Sequence, residues 1–172
     1  MLKTHRLLIR PLKKKDSKTL FSFYQKNCAF LEPWETLPDS FGSLKKRTGE
    51  NLKAQKKREA LYLLLFHGDV LIGMCNFTSM ILGAFQACFL GYKIDQDFER
   101  KGLMKEALAA AIPYVLKTYR LHRIMASYIP GNVPSAKLLA SLGFHKEGIA
   151  KDYLLINGKW EDHILTSYIK DA

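Results

Sequence analysis

The stretch GYKIDQDFERKGLMKEALAAAIPYVLKTY, residues 91–119, decides how this chain folds. It reads as a strand, a short basic turn carrying Gly102, and a long amphipathic helix. Leu103, Ala107, Leu108, Ala111, Val115 and Leu116 recur at helical spacing, which predicts a helix over Gly102–Arg120 with one apolar face. Pro113 falls inside it. An interior proline removes a backbone bond at a cost of about 3 kcal/mol, so the helix either kinks there or is two segments. The turn carries the chemical hint. Arg100, Lys101, Gly102 and Leu103 would aim several backbone N–H groups outward from a helix start, where the helix dipole is positive. Such an end suits a phosphate or pyrophosphate. Alone, it also reads as a solvated corner before a surface helix, because neither G-x-G-x-x-G nor G-x-x-x-x-G-K-[ST] is present.

The flanking sequence supplies the rest of a mixed fold. Thr4–Arg10 alternates, with Leu7 and Ile9 on one side, and Pro11 ends it as a strand. Asp16 and Ser17 can cap a helix reaching about Asn27, with Leu20, Phe21, Phe23 and Tyr24 as its apolar stripe. Phe30–Pro38, FLEPWETLP, reads as a loop, and a basic helical region broken near Gly49 follows over Ser43–Ala60. Leu61–Phe66, Val70–Ser79 and Phe85–Asp95 are near-continuous apolar runs, as in strands covered on both faces. Beyond the long helix come a strand over Arg123–Ile129, a short helix over Pro134–Leu142 stopped by Gly143, and strands over Phe144–Ile156 and Lys159–Ile169. Asn157-Gly158 joins the last two as a hairpin turn. The order is β-α-α-β-β-β-α-β-α-β-β, with no repeat, linker or low-complexity tail. The expectation is one α/β domain over residues 1–172, built on a mixed sheet.

Composition narrows the function classes. The 172 residues hold 27 Lys and Arg against 16 Asp and Glu, a net charge of +11. Such a surface favours polyanions: nucleic acid, the ribosome or an anionic cofactor. The basic residues gather in Lys13–Lys15, Lys45–Arg47 and Lys53–Arg58. No aromatic residues interleave with the last two groups, so they form no stacking platform for single strands. They read either as a solvated helix face or as a docking face for RNA. Cys28, Cys75 and Cys88 are widely spaced, lack a C-x-x-C, and do not combine with the five histidines at metal-ligand spacing. Cys75 and Cys88 read as small core residues and no metal is expected. No apolar run reaches the roughly 18 residues that cross a bilayer, and MLKTHRLLIRPL lacks a signal peptide's long apolar stretch. A cytoplasmic protein with no membrane partner is expected.

The element order, the basic turn and the later NVPSAKLLASLGF resemble the GNAT acetyltransferases, which take acetyl from coenzyme A. FLEPWE at 30–35, GLMKEAL at 102–108, HRIMASYIPGN at 122–132 and EGIAKDYLLINGKWEDHILT at 147–166 narrow the resemblance to the RimJ-type ribosomal-protein-alanine N-acetyltransferases. It covers nearly the whole chain, least clearly Lys13–Lys57. It implies a GNAT-like fold around a central twisted, largely antiparallel sheet, with acetyl-CoA as co-substrate and the N-terminus of a ribosomal protein as partner. The family's cofactor motif has Gln or Arg, two residues, Gly, one residue, then Gly or Ala. It falls here on Glu99, Arg100, Lys101, Gly102, Leu103 and Met104, with departures at Glu99 and Met104. Because backbone amides make such contacts, binding is expected to survive with the outer side chains, Glu99 included, turned away.

By the same resemblance Tyr92, Lys93 and Ile94 run beside the pantetheine arm, and a backbone N–H there faces the thioester carbonyl as an oxyanion donor. Asn132 and Ser135 cap the next helix or hold the pantetheine and sulfur region. Many family members carry a Tyr where this chain has Leu139, so protonating the leaving thiolate passes to Ser135, to water or to nothing. Glu35 is the first candidate base, with Trp34 walling the acceptor's small first side chain. Asp152, a candidate acceptor contact, and Asp162 follow as alternative bases. The implied reaction acetylates an N-terminal alanine by direct attack. The alternatives are a small-molecule or aminoacyl-toxin amine as acceptor, or a non-catalytic ribosome-assembly factor on the same scaffold.

Overall fold

A computed structural model describes residues 1–170. Its centre is one eight-stranded sheet. The strands are β1 (Leu2–Lys3), β2 (Leu8–Pro11), β3 (Leu61–His67), β4 (Val70–Ile81), β5 (Ala87–Ile94), β6 (Arg123–Tyr128), β7 (His145–Ile156) and β8 (Lys159–Ile169). They lie in the order β1-β2-β3-β4-β5-β6-β8-β7, antiparallel except for the parallel β5–β6 pair. A parallel pair needs a crossover. Here it is α4 (Leu103–Tyr119), the helix read from residues 91–119.

Alternation along the strands divides the core. Leu61, Leu63 and Leu65 of β3 join Ala107, Leu108, Ala111 and Val115 of α4 in one apolar layer. Leu64 of β3 and Met74 of β4 face the other way, towards Leu20 and Phe23 of α1 (Ser17–Lys26) and Leu44 of α3 (Phe41–Lys56). Helices therefore cover both faces, which accounts for strands without polar alternation. Cys75 and Cys88 are fully buried in the first layer, where burial pushes each thiol up to about 12.

Four local expectations change. The first strand is split into β1 and β2 by a turn in which the Leu7 carbonyl accepts from the Thr4 N–H at 3.0 Å. Part of the expected Phe30–Pro38 loop belongs to a short helix, α2 (Cys28–Leu31). Gly49 does not break α3, which runs unbroken from a cap where Ser40 accepts from the Ser43 N–H. Leu44 and Thr48 bury the inner face of that helix, and packing of this kind outweighs the roughly 1 kcal/mol by which an interior glycine disfavours a helix. Nor does Pro113 divide α4. Pro113 and Ala109, whose carbonyl loses its partner, both lie on the exposed face, where water can take the freed group.

Candidate active site

A divergence of two strands makes the site. β5 pairs with β6 only as far as Leu90 opposite Ala126. Beyond that rung β5 stays with β4 up to Ile94 opposite Gly73, and β6 stays with β8 up to Tyr128 opposite Ile164. Gly91–Ile94 and Ser127–Tyr128 therefore separate, and a cavity of about 870 Å³ fills the wedge. The backbone groups of β5 facing the gap have no strand partner, so a ligand with amides can pair with them.

One end of the cavity meets the start of α4. Arg100 and Gly102 both have positive φ, 55° and 72°, and Gly102 is the residue before the first helical turn. Two left-handed residues with one between them turn the chain sharply into the helix, whose first amides have no intrahelical partner. A Cβ on Gly102 would meet only the Arg6 Nη2, at 3.6 Å, so the left-handed backbone, not crowding, calls for glycine. Gly102, Leu103, Met104, Arg100, Lys105 and Glu99 border this end. Lys101 does not: its ammonium lies 5.1 Å over the Phe98 ring, and its carbonyl accepts from Arg6 Nη1 at 2.9 Å. Glu99, whose side chain is expected to turn away, is among the residues bordering the cavity, whereas the Lys101 side chain turns aside, leaving only its backbone amide for the expected contact.

Asn132 and Ser135 stand at the start of α5 (Val133–Ser141) and border the middle of the cavity. The Asn132 side chain accepts from the Ser135 N–H at 3.1 Å, a helix cap. Ser135 Oγ lies 2.5 Å from the Tyr92 phenol oxygen. Sequence reasoning took Tyr92 as backbone only, and so missed this hydroxyl pair. Leu139, on the same helix, is 1% exposed and belongs to the core.

The other end is walled by Phe30, Trp34, Glu35, Tyr153, Leu154 and His163. Glu35 and Trp34 lie in the segment after α2, as the FLEPWE block suggested. Glu35 is ion-paired with Lys93 of β5, whose ammonium also donates to the Tyr24 hydroxyl at 3.1 Å. The pair is enclosed, with the Lys93 side chain only 13% exposed.

Asp152 and Asp162 are not among the residues bordering the cavity. They hold a bulge. Opposite rungs pass from Ala150–His163 directly to Leu154–Glu161, so residues 151–153 face Asp162 alone. Asp162 accepts from the Asp152 N–H at 3.0 Å and pairs with Lys151, while Asp152 takes a positive φ of 46°. The bulge brings Tyr153 against His163, ring centroids 5.5 Å apart. Bulges re-aim side chains beside functional clefts. His163, which the sequence did not single out, is 4% exposed. Its signal lay only in its place on a strand opposite an interrupted one. Among the described residues no group of His, Cys, Asp and Glu could hold a metal, and no helix is long and apolar enough to cross a membrane.

Comparison with known proteins gives the family and the fold. The family model described as acetyltransferase (GNAT) domain matches residues 6–145. The [ribosomal protein uS5]-alanine N-acetyltransferase of Escherichia coli (strain K12) is 46% identical over 172 residues, covering 96% of this chain and 89% of that protein. Among solved structures, the ribosomal-protein-S5-alanine acetyltransferase from Vibrio fischeri superposes with a TM-score of 0.92 at 37% identity, covering 99% of this chain and 96% of that one. Mycobacterium smegmatis RimJ, solved in complex with CoA-disulfide, gives 0.88 at 25% identity, covering 95% and 81%.

Proposed function

Because the chain belongs to the GNAT acetyltransferase family, we propose that it moves acetyl from acetyl-CoA to the α-amine of the N-terminal alanine of the small-subunit ribosomal protein uS5. The observation that carries the acceptor is the 46% identity to a uS5-alanine N-acetyltransferase. It spans 96% of this chain, and so takes in the acceptor end of the cavity as well as the donor end.

The donor end suits the co-substrate on its own chemistry. The amides of the Arg100–Leu103 turn and the adjacent Arg100 and Lys105 would take the pyrophosphate. The unpaired edge of Tyr92–Ile94 would take the pantetheine amides and offer an N–H to the thioester carbonyl as charge develops on oxygen. Asn132 would hold the arm near the sulfur, and Ser135 would meet the leaving thiolate. A thiolate with an ordinary value near 8.5 leaves without strong assistance.

At the acceptor end Trp34 and its aromatic neighbours leave room for a small first side chain. Glu35, still paired with Lys93, would accept a hydrogen bond from the arriving α-ammonium, which orients the nitrogen towards the carbonyl carbon. An α-amine has an ordinary pKa of about 7.7–8.0, against about 10.4 for a lysine side chain. Its neutral form is thus within easy reach at pH 7, and much of the acceleration comes from proximity. The exposed Lys45, Lys46, Lys53, Lys56 and Lys57 on and after α3 support docking on rRNA beside the substrate protein, in the cytoplasm. That docking predicts salt-sensitive cosedimentation with ribosomal particles.

The test is thiol release from acetyl-CoA with peptides copying the uS5 N-terminus, beside the same peptides begun with Ser or Met, together with mass spectrometry of ribosomal proteins with and without the gene. Acetylation confined to the Ala-starting peptide and to uS5 is expected. Unchanged ribosomal proteins and faster turnover of a small amine would replace the acceptor.

A further inference from the structure

We infer that His163 is the base that accepts the proton of the incoming α-ammonium, with Glu35 serving to receive and orient that ammonium. The inference rests on the proposed amine acceptor and assigns a proton step within that same site.

Three observations carry it. First, the imidazole belongs to the cavity: His163 borders the acceptor end and is otherwise enclosed, 4% exposed. Second, its ring nitrogens have distinct surroundings. Nδ1 lies 2.9 Å from the Glu161 carbonyl oxygen, and a carbonyl only accepts, so Nδ1 is the donor there and in the neutral ring the lone pair sits on Nε2. No protein group among the described residues bonds Nε2. Third, the ring is held in place. The interruption of β7 between Ala150 and Leu154 sets Tyr153 against it, and the Asp162 carboxylate ties the displaced strand down through the Asp152 N–H. An oriented imidazole with a free lone pair at the acceptor end has the form of a general base.

The other candidate there is already engaged. Glu35 is neutralised by Lys93, and on the strand of His163 itself Glu161 pairs with Lys159 and Asp162 with Lys151. Tyr92, Tyr128 and Tyr153 also border the cavity. Nε2 takes one proton from the ammonium and leaves a neutral amine. The nitrogen lone pair forms the C–N bond at the thioester carbonyl, and the C–S bond breaks with its electron pair going to sulfur. The second nitrogen proton passes to that thiolate by way of the Ser135 hydroxyl, and the imidazolium returns its proton to water. One proton is released per turnover, which balances the step.

The test uses the full-length enzyme and whichever amine the wild type acetylates fastest in a panel of peptides and small amines. A wrong acceptor assignment then appears in the panel and not in the variant. His163→Ala is expected to lower kcat at pH 7 by about 100-fold, the usual worth of a general base. The loss should shrink at pH 9, where the amine is already neutral. Imidazole should restore the rate, while pyrrole, of the same size but without a basic nitrogen, should not. Acetyl-CoA affinity by calorimetry should be unchanged. Should the alanine variant fail to fold, His163→Gln keeps the bulk and hydrogen bonding. A glutamine enzyme retaining more than half of the wild-type rate at pH 7, or rescue of the alanine enzyme by pyrrole, overturns the assignment.

Discussion

The phenol oxygen of Tyr92 lies 2.5 Å from the hydroxyl of Ser135, linking β5 to the start of α5 across the wedge. Burial pushes the phenol up to about 12, against the smaller opposing pull of the Ser135 hydrogen bond. Tyr92 therefore stays protonated at working pH and can donate, leaving the Ser135 hydrogen free for the thiolate of the proposed transfer.

This relay predicts that Ser135→Ala and Tyr92→Phe each lower kcat by about tenfold, the worth of one hydrogen bond of about 1.4 kcal/mol. The double variant should lose little more than either alone, because the two hydroxyls act as one unit. Steady-state thiol release measures all three. Additive losses would separate the two groups.

Gly102 tests the donor end. Its φ of 72° is left-handed, and the space beside it is open. Gly102→Ala should thus cost about 1 kcal/mol of backbone strain with a modest loss of acetyl-CoA affinity. Gly102→Glu adds a carboxylate where pyrophosphate is expected and should weaken binding by far more. Calorimetry with acetyl-CoA distinguishes them, and equal affinity for wild type and the glutamate variant would remove the turn from the donor site.

The backbone form of the glycine-turn end of the cavity was legible in the sequence, because it is local. A strand, a glycine turn and an amphipathic helix are read from 29 consecutive residues, and backbone amides need no distant partner. The opposite end of the cavity was legible only in part. FLEPWE pointed to Trp34 and Glu35, but the Lys93 ion pair joins residues 58 apart and the Tyr92–Ser135 contact residues 43 apart. No periodicity reports such meetings. His163 was hidden for the same reason: its exposure to the cavity depends on a bulge in the neighbouring strand. Gly49 and Pro113 show the converse, since both break a helix by local preference and both yield to packing or to an exposed position.

Glu35→Gln should raise the KM for the acceptor by about tenfold to a hundredfold, the range of a hydrogen bond to a charged group, with a smaller change in kcat. The increase should fade at pH 9, where the acceptor arrives without its charge. A large fall in kcat at unchanged KM would return the role of base to Glu35.

The last prediction concerns acid. Glu106, in the first turn of α4, accepts from the Thr4 hydroxyl at 2.5 Å, the Arg6 N–H at 2.8 Å and the Arg6 Nε at 2.7 Å. Burial acts to raise its carboxyl, but these donors together outweigh it and hold the group down at about 2, below the ordinary 4.5. A carboxyl depressed on folding contributes stability that is complete above its unfolded value and is lost as pH falls through the folded one. The window here runs from about 4.5 down to about 2. Denaturant melts should therefore show Glu106→Gln less stable than wild type at pH 7, with the gap narrowing through that window. Arg6 also holds the Lys101 carbonyl, so the same variant should bind acetyl-CoA more weakly at neutral pH while its strands remain intact. A constant gap from pH 7 to pH 2 would mean that the carboxyl's charge contributes nothing to bracing the turn.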